Sequence, residues 1–354
     1  MSSINIFRLP FILLAVLLYS CTKMETRKPL SPGGPKPGVV KEVSVMNGKG
    51  SATIHFTLPA DPDIQYVMAE YNVNASLKRQ AKVSRYNNSI TVDGFNNKGE
   101  YPVSLYTVNS GEVKSDPLII KVNVDTPSFR IVFKDLVIQE DFGGVSASFT
   151  NPTKANIAVV VITRNTNGEF TPNETFYTSS DSGRFSARGF DTTRRMFGIY
   201  VRDQFNNYSD TLFKELKPYE EQMLNKAKFQ PFVLPGDMPS AYGWVLSNIW
   251  DNNLGSGYHT PEPVPLPGHI TFDLGVTAKL SRFKLWQRDD GLYYKWGNPS
   301  KWIMYGAQNP DPSGSFNGWT QLLVCNSRKP SGSPIGTNTE EDISYIRNGE
   351  EFTF

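Results

Sequence analysis

Two stretches of this chain repeat each other, and the repetition restricts the fold more than any other feature. Ser51-Ala52-Thr53-Ile54-His55-Phe56-Thr57-Leu58-Pro59 is echoed by Gly144-Val145-Ser146-Ala147-Ser148-Phe149-Thr150-Asn151-Pro152, so that Phe56 maps to Phe149 and Pro59 to Pro152. Further along, Ser104-Leu105-Tyr106 is echoed by Gly198-Ile199-Tyr200, and Ser115-Asp116 by Ser209-Asp210, at nearly the same offset. Two tandem units of about 90–95 residues follow, the size of a β-sandwich domain. Within each unit the pattern alternates. Ala52, Ile54, Phe56 and Leu58 fall on one face, with Thr53, His55 and Thr57 on the other; Val67, Ala69 and Tyr71 repeat this, as do Ala158, Val160 and Ile162. A period of two means strands with one buried face. Asn47-Gly48, Asp93-Gly94 and Asn167-Gly168 mark turns between strands.

Composition agrees. The 354 residues carry 36 basic and 34 acidic side chains, a net charge of +2, which gives no support for nucleic-acid binding. Gly (28), Pro (25) and Tyr (16) are frequent, which favours all-β domains over helical ones. The only cysteines are Cys21 and Cys325. Cys325 lies in the apolar run Leu322-Leu323-Val324-Cys325 and reads as a buried small hydrophobe.

At the N-terminus Arg8 precedes an apolar stretch from Leu9 to Tyr19, too short to span a bilayer as a stable helix, so residues 1–20 read as a signal peptide. Its end, Leu18-Tyr19-Ser20-Cys21, resembles the bacterial lipobox; the resemblance implies that Cys21 becomes the first residue and carries the lipid, an acyl anchor to the membrane. Residues 21–38, rich in Pro and Gly, form an extended tether. The two repeats, 39–124 and 125–217, resemble fibronectin-type-III-like or immunoglobulin-like sandwiches. They are similar to the paired β-domains in lipoproteins of Bacteroidetes polysaccharide-utilisation systems. That resemblance implies an outer-membrane location and neighbouring uptake proteins as partners. Residues 218–228, from Pro218 to Lys228, are rich in helix formers and predict a short helical connector.

All six tryptophans, Trp244, Trp250, Trp286, Trp296, Trp302 and Trp319, fall in 229–354. Four segments there, in order, resemble the discoidin (coagulation factor 5/8 C-type) jelly roll: Ser247 to Asn253, His269 to Gly275 with its Asp273-Leu274-Gly275 ending, Leu280 to Arg288, and Lys301 to Gly306 followed by Gly318-Trp319. A jelly roll of this kind normally continues beyond Phe354, so this module is expected to be incomplete at its C-terminus. Relatives of the module bind sugars through loops at one end, and that implies a glycan ligand. A pyranose presents an apolar C–H face to an aromatic ring and hydroxyls to planar polar groups. The segment from Gln287 to Asn298 holds that mixture, so Arg288, Tyr293, Tyr294 and Trp296 are candidate ligand contacts, with Tyr258 and His259 from a Gly/Pro-rich loop. Trp250, Phe272, Phe283 and Trp319 read as core. The resemblance also implies a structural Ca2+ near Asp251, Asn252 and Asn253, whose oxygens suit a hard cation, although such clusters are commonly Asx turns.

The leading function is therefore a glycan-binding lipoprotein, with an adhesion or structural protein-interaction role as the alternative. A glycoside hydrolase fits less well. Hydrolysis needs two carboxylates across a cleft, and Asp289-Asp290 are adjacent in sequence, so on a strand they would point to opposite faces. No Gly-x-Ser-x-Gly elbow, His-Glu-x-x-His helix or phosphate-cradling loop occurs. His55, His259 and His269 are not spaced as a metal cluster.

Overall fold

A computed structural model describes residues 33–289 and 291–354. Cys21 and the leader, with Asp290, lie outside the described residues. The chain divides into two compact units, Met1–Tyr219 and Glu220–Phe354. Among the described residues no helix is long and apolar enough to cross a membrane.

The first unit holds two sandwiches built alike. In the first, β1 (Lys41–Gly48), β2 (Ser51–Thr57) and β5 (Ser89–Asp93) form a sheet in the order β1-β2-β5. Strands β3 (Ile64–Asn72), β4 (Lys78–Ser84), β6 (Gly99–Asn109) and β7 (Leu118–Val124) form its partner in the order β4-β3-β6-β7. The alternating residues meet between the sheets: Ile54 and Phe56 join Val67, Ala69, Tyr71, Phe95 and Leu105 in one buried cluster, while His55 stays exposed. The hydroxyl of Tyr71 donates to the Asp93 carbonyl and accepts from the Asp93 N–H, both at 3.1 Å, pinning the turn at Gly94. The β1–β2 turn is centred one to two residues beyond the expected Asn47-Gly48. It turns at Lys49-Gly50, where Gly50 holds φ +69.

In the second sandwich, α1 (Ser128–Lys134) leads into β8 (Val137–Asp141) and β9 (Gly144–Thr150), which pair with β12 (Ser182–Arg188) in the order β12-β9-β8. The facing sheet runs β11-β10-β13-β14 through β10 (Ile157–Arg164), β11 (Phe170–Thr178), β13 (Arg195–Asp203) and β14 (Leu212–Leu216). This three-plus-four order repeats the first sandwich strand for strand and is that of fibronectin-type-III-like domains. The helix α1 has no counterpart in the first sandwich and was not expected. It starts directly after Pro127, whose fixed φ suits a helix entrance, and buries Phe129 and Val132 in the second core. Strand β10 is buried on both faces: Val159 and Val161 enter that core, while Ala158, Val160 and Ile162 are covered by Phe170 and Tyr200 outside it.

The sandwiches join with almost no linker. Asp125 exchanges backbone hydrogen bonds with Gly48 and Gly50 (3.0 and 3.1 Å), Arg130 Nε donates to the Asn96 carbonyl (2.9 Å), and Asn207 donates to the Gly94 carbonyl (3.1 Å). The Arg79 guanidinium lies 4.5 Å from the centre of the Phe205 ring.

The expected helical connector at 218–228 is a correction. Only Lys226–Lys228 turn helically, as one 3-10 turn capped by Asn225. A segment this short is marginal as an isolated helix, and its groups have better partners elsewhere. Tyr219 exchanges backbone hydrogen bonds with the strands of the second sandwich, and Glu221 ion-pairs with Arg282 at 3.0 Å while accepting from Ser281.

In the second unit the described strands pair two by two: β15 (Gln230–Pro231) with β16 (Phe272–Asp273), β17 (Arg282–Leu285) with β20 (Glu350–Thr353), and β18 (Lys301–Gly306) with β19 (Thr320–Asn326). Long loops separate them. Pro261, Pro263, Pro265 and Pro267 interrupt one such loop and lack the N–H that a wider sheet would need. Aromatic pairs hold the unit together. Trp250, Phe229 and Phe272 form one group, and Phe283, Phe352, Phe354 and Trp302 another; of the aromatics expected as core, Trp250 is buried, while Phe272, Phe283 and Trp319 are half-buried. The helix α2 (Glu340–Arg347) begins with a Thr339–Asp342 capping box. Cys325 is fully buried and free.

Candidate ligand-binding site

The loop from Gln287 to Asn298 is shaped by its own amides. Gln287 Oε1 accepts the Tyr294 N–H (2.8 Å), while the Asn298 side chain accepts from the Arg288 N–H (3.4 Å) and donates to the carbonyls of Leu292 and Lys295 (2.9 and 3.0 Å). The result separates three aromatic residues that are close in sequence. Tyr293 is buried at 6% exposure, and its hydroxyl donates to Asp289, which also receives Arg347 from α2. That hydrogen bond to a carboxylate, together with burial, raises the Tyr293 pKa. Tyr294 is half-buried; its hydroxyl donates to the Arg328 carbonyl (3.1 Å), and burial, followed by the nearby Asp342 and Glu350 charges, raises its pKa. Trp296 alone is displayed, 71% exposed. Of these three candidate contacts, Tyr293 and Tyr294 tie the loop to the unit, because each phenol finds a partner inside it.

Arg288 reaches out of this loop. Its guanidinium carbon lies 5.3 Å from the centre of the Trp244 ring. Trp244 ends a tight turn, Ala241-Tyr242-Gly243-Trp244, in which the Trp244 N–H donates to the Ala241 carbonyl (2.9 Å). Tyr242 and Gly243 both hold positive φ, +57 and +77, as a type I′ turn requires. This turn pairs with the loop carrying His259: the Ala241 N–H donates to the His259 carbonyl (2.8 Å) and the His259 N–H to the Trp244 carbonyl (3.3 Å). The His259 ring meets Tyr242 edge to face at 5.2 Å. Gly257 lies against the Trp244 indole, where a Cβ would stand 3.0 Å from the ring. Three loops thus bring Tyr242, Trp244, His259 and Arg288 together, with Tyr242 70% exposed.

Tyr258 faces the other way. With Val233, Met238, Leu246, Ile270, Thr271 and Asp237 it lines a pocket of about 250 Å³. Its hydroxyl donates to the Met238 carbonyl, and burial, then the nearby Asp237, raises its pKa. Asp237 is itself engaged by Thr271 (3.0 Å), the Leu234 N–H (2.8 Å) and His269 (3.3 Å).

The Asp251, Asn252 and Asn253 loop, near which a structural Ca2+ is expected, turns its side-chain oxygens onto its own backbone and a neighbouring lysine. Asp251 accepts from the Asn253 N–H (2.7 Å) and the Ser256 hydroxyl (2.6 Å), and Asn253 accepts from the Gly255 N–H (3.0 Å). The Lys226 ammonium already sits on Asn252 Oδ1 at 2.8 Å. The oxygens of this loop serve an Asx turn and the Lys226 ammonium. Among the described residues no group of three or more His, Cys, Asp or Glu side chains is placed to hold a metal.

Sequence reasoning missed Tyr242 and Trp244 as site residues. The available signal was Tyr242-Gly243, a dipeptide able to hold two positive φ angles and so present the next side chain from a tight turn.

Three family models match in succession: DUF4959 over residues 37–124, DUF5126 over 125–227 and DUF5000 over 247–354, each described as a domain of unknown function. Among solved structures, the SusE-like protein BT2857 is 34% identical, with 64% of this chain and 86% of that one covered and a TM-score of 0.39. The chain belongs to the SusE-like family. A two-domain fibronectin type-III segment of chicken tenascin also matches at 18% identity, covering 51% of this chain and 99% of its own, with a TM-score of 0.25. A comparison with curated proteins found no match. In this SusE-like chain, His259, Arg288 and Trp296 fall within the span of the third domain model, whereas Tyr242 and Trp244 precede it.

Proposed function

We propose that this SusE-like chain is a non-catalytic, glycan-binding lipoprotein of the outer membrane. Cys21 carries the anchor, the paired sandwiches act as spacers, and the discoidin-like C-terminal unit captures polysaccharide beside uptake proteins. The observation that carries the reading is the Arg288 guanidinium held 5.3 Å over the Trp244 ring, next to the Tyr242–His259 pair. The exposed Tyr242 ring offers a face to the C–H side of a pyranose, and the Arg288 guanidinium, held over the neighbouring Trp244 ring, is placed to hydrogen-bond the sugar hydroxyls. Trp296, on the loop that supplies Arg288, offers a second face to a longer chain. The turn at Tyr242-Gly243 is hydrogen-bonded into the His259 loop, so little ordering is required on binding.

The test is a glycan array followed by calorimetry on the best ligand with the full-length protein in detergent. Trp244→Ala, which removes the ring that positions Arg288, is expected to weaken binding about tenfold and Arg288→Ala about as much, a loss of roughly 1–2 kcal/mol, the size of one aromatic or cation–π contact. Unchanged binding in both variants and in Trp296→Ala would remove this reading.

A further inference from the structure

The repeat supplies an internal control for a second site, on the first unit. Residues of β6 and β13 correspond: Tyr106 to Tyr200, and the bridge Val108–Lys114 to the bridge Arg202–Tyr208. Glu112 corresponds to Asn206, and both hold the left-handed backbone, φ +62 and +60. In the first sandwich this corner is closed by its own charges. Glu112 accepts the Tyr66 hydroxyl (2.7 Å), and Glu70 binds Lys78 and Lys114 at 2.6 and 2.8 Å, with Lys114 also over the Tyr106 ring.

In the second sandwich those two acids are gone; Asp203, where the first sandwich has Asn109, is turned into its own loop, accepting from the Phe205 and Asn207 N–H groups (2.8 and 2.9 Å). Neutral Asn206 replaces Glu112, Tyr208 replaces Lys114, and Ile162 occupies the place of Glu70. An arginine, Arg202, stands where the first sandwich has Val108. Its guanidinium donates to Asn206 Oδ1 and to the Tyr177 hydroxyl, both at 3.2 Å, and so bridges over buried Ala158. Among the described residues its hydrogen-bond partners are these two neutral oxygens. Tyr177 and Tyr208 are 70% and 50% exposed, and Tyr208 packs on Tyr200 at 5.8 Å.

We infer that the corner formed by Tyr177, Tyr200, Arg202, Asn206 and Tyr208 binds an anionic glycan, a polymer whose sugars carry a carboxylate. A uronic acid fits these groups. Its ring packs against the exposed phenols, and its equatorial carboxylate extends from the ring edge toward a guanidinium otherwise held by neutral acceptors. A charged acceptor makes a shorter and stronger bond than the amide and phenol oxygens it would replace. The site is separate from the C-terminal one and does not depend on it.

The probe is polygalacturonate, compared with its methyl-esterified form, titrated into the full-length protein in detergent. The wild type is expected to bind the acid at least tenfold more tightly than the ester, with affinity falling as salt rises. Asn206→Glu restores the residue of the first sandwich, whose backbone already accepts glutamate at φ +62. It places a carboxylate beside Arg202 and is expected to reduce acid binding at least tenfold with an unchanged melting temperature. Arg202→Leu should do the same. Equal binding of acid and ester, or undiminished acid binding in both variants, overturns the inference. So does loss of acid binding in Trp244→Ala but not in Asn206→Glu, which would place the polymer on the C-terminal unit. Retained binding of neutral glycan by the Asn206→Glu protein keeps the outcome separate from that of the first proposal.

Discussion

Trp296 makes an unusual demand on its backbone, and replacing it should invert a familiar order of stabilities. Its φ is +57, in the left-handed region, where a Cβ costs about 1–2 kcal/mol, and 71% of its surface remains exposed. Truncation to alanine forfeits the buried remainder, roughly 60 Å² of the ~200 Å² such a ring can bury, or about 1.5 kcal/mol at most. It leaves the backbone cost in place. Truncation to glycine loses the same contacts but relieves the Cβ clash, against an added unfolded-chain entropy of about 0.4–1 kcal/mol. Trp296→Gly should therefore be more stable than Trp296→Ala by about 0.5–1 kcal/mol. The control is Trp302 in strand β18, at an ordinary φ and packed on Phe352 at 4.8 Å, where glycine should be worse than alanine by a similar amount. The assay is denaturation followed by selective tryptophan fluorescence, which reports the C-terminal unit because every indole lies there. Alanine equal to or more stable than glycine at 296 would refute the argument that the ring is displayed at the expense of backbone strain.

Two further outcomes concern the sandwiches. Gly198 of β13 lies where an added Cβ would stand 2.8 Å from both Ile162 and Phe213, so Gly198→Ala should cost about 1–3 kcal/mol, read as a lowered melting temperature of the second sandwich. Hydrogen bonds from Lys114 and then Lys78 hold the Glu70 carboxyl at about 2, below its ordinary 4.5. Because the folded-state pKa is depressed, the stabilisation is full above about 4.5 and is lost as pH falls toward 2; thermal melts of wild type and Glu70→Gln should therefore differ at neutral pH and converge across that window.

The legible and illegible parts of this protein differ in range. The sandwiches could be read because most strands carry their own evidence. Ile54 and Phe56 alternate with outward residues whatever their neighbours do, and the echo of Phe56 in Phe149 shows the same pattern twice. Strand β10 is the exception: its alternation reads Ala158, Val160 and Ile162 as the core face, but Val159 and Val161 enter the core and both faces are buried. The connector misled because helix propensity in residues 218–228 is a weak local preference, overridden by Glu221 reaching Arg282. The candidate site was half legible. Arg288 and His259 were found from residue type, but Tyr293 and Trp296, three positions apart in one aromatic run, have opposite fates because Asp289 captures the Tyr293 phenol while the indole stays exposed.

Alternation and repetition along the chain were enough to establish an all-β protein with two like domains and a tryptophan-rich third part, because burial on one face of a strand is a property of spacing along the chain. Which rings meet which cations was decided only in three dimensions. Trp244 and Arg288 are far apart in sequence and are brought together by the hydrogen bonds of their loops. Arg202 acquires its setting from residues on two other strands and a turn. Contacts of that kind depend on where loops close, and loop closure depends on partners that no local pattern records.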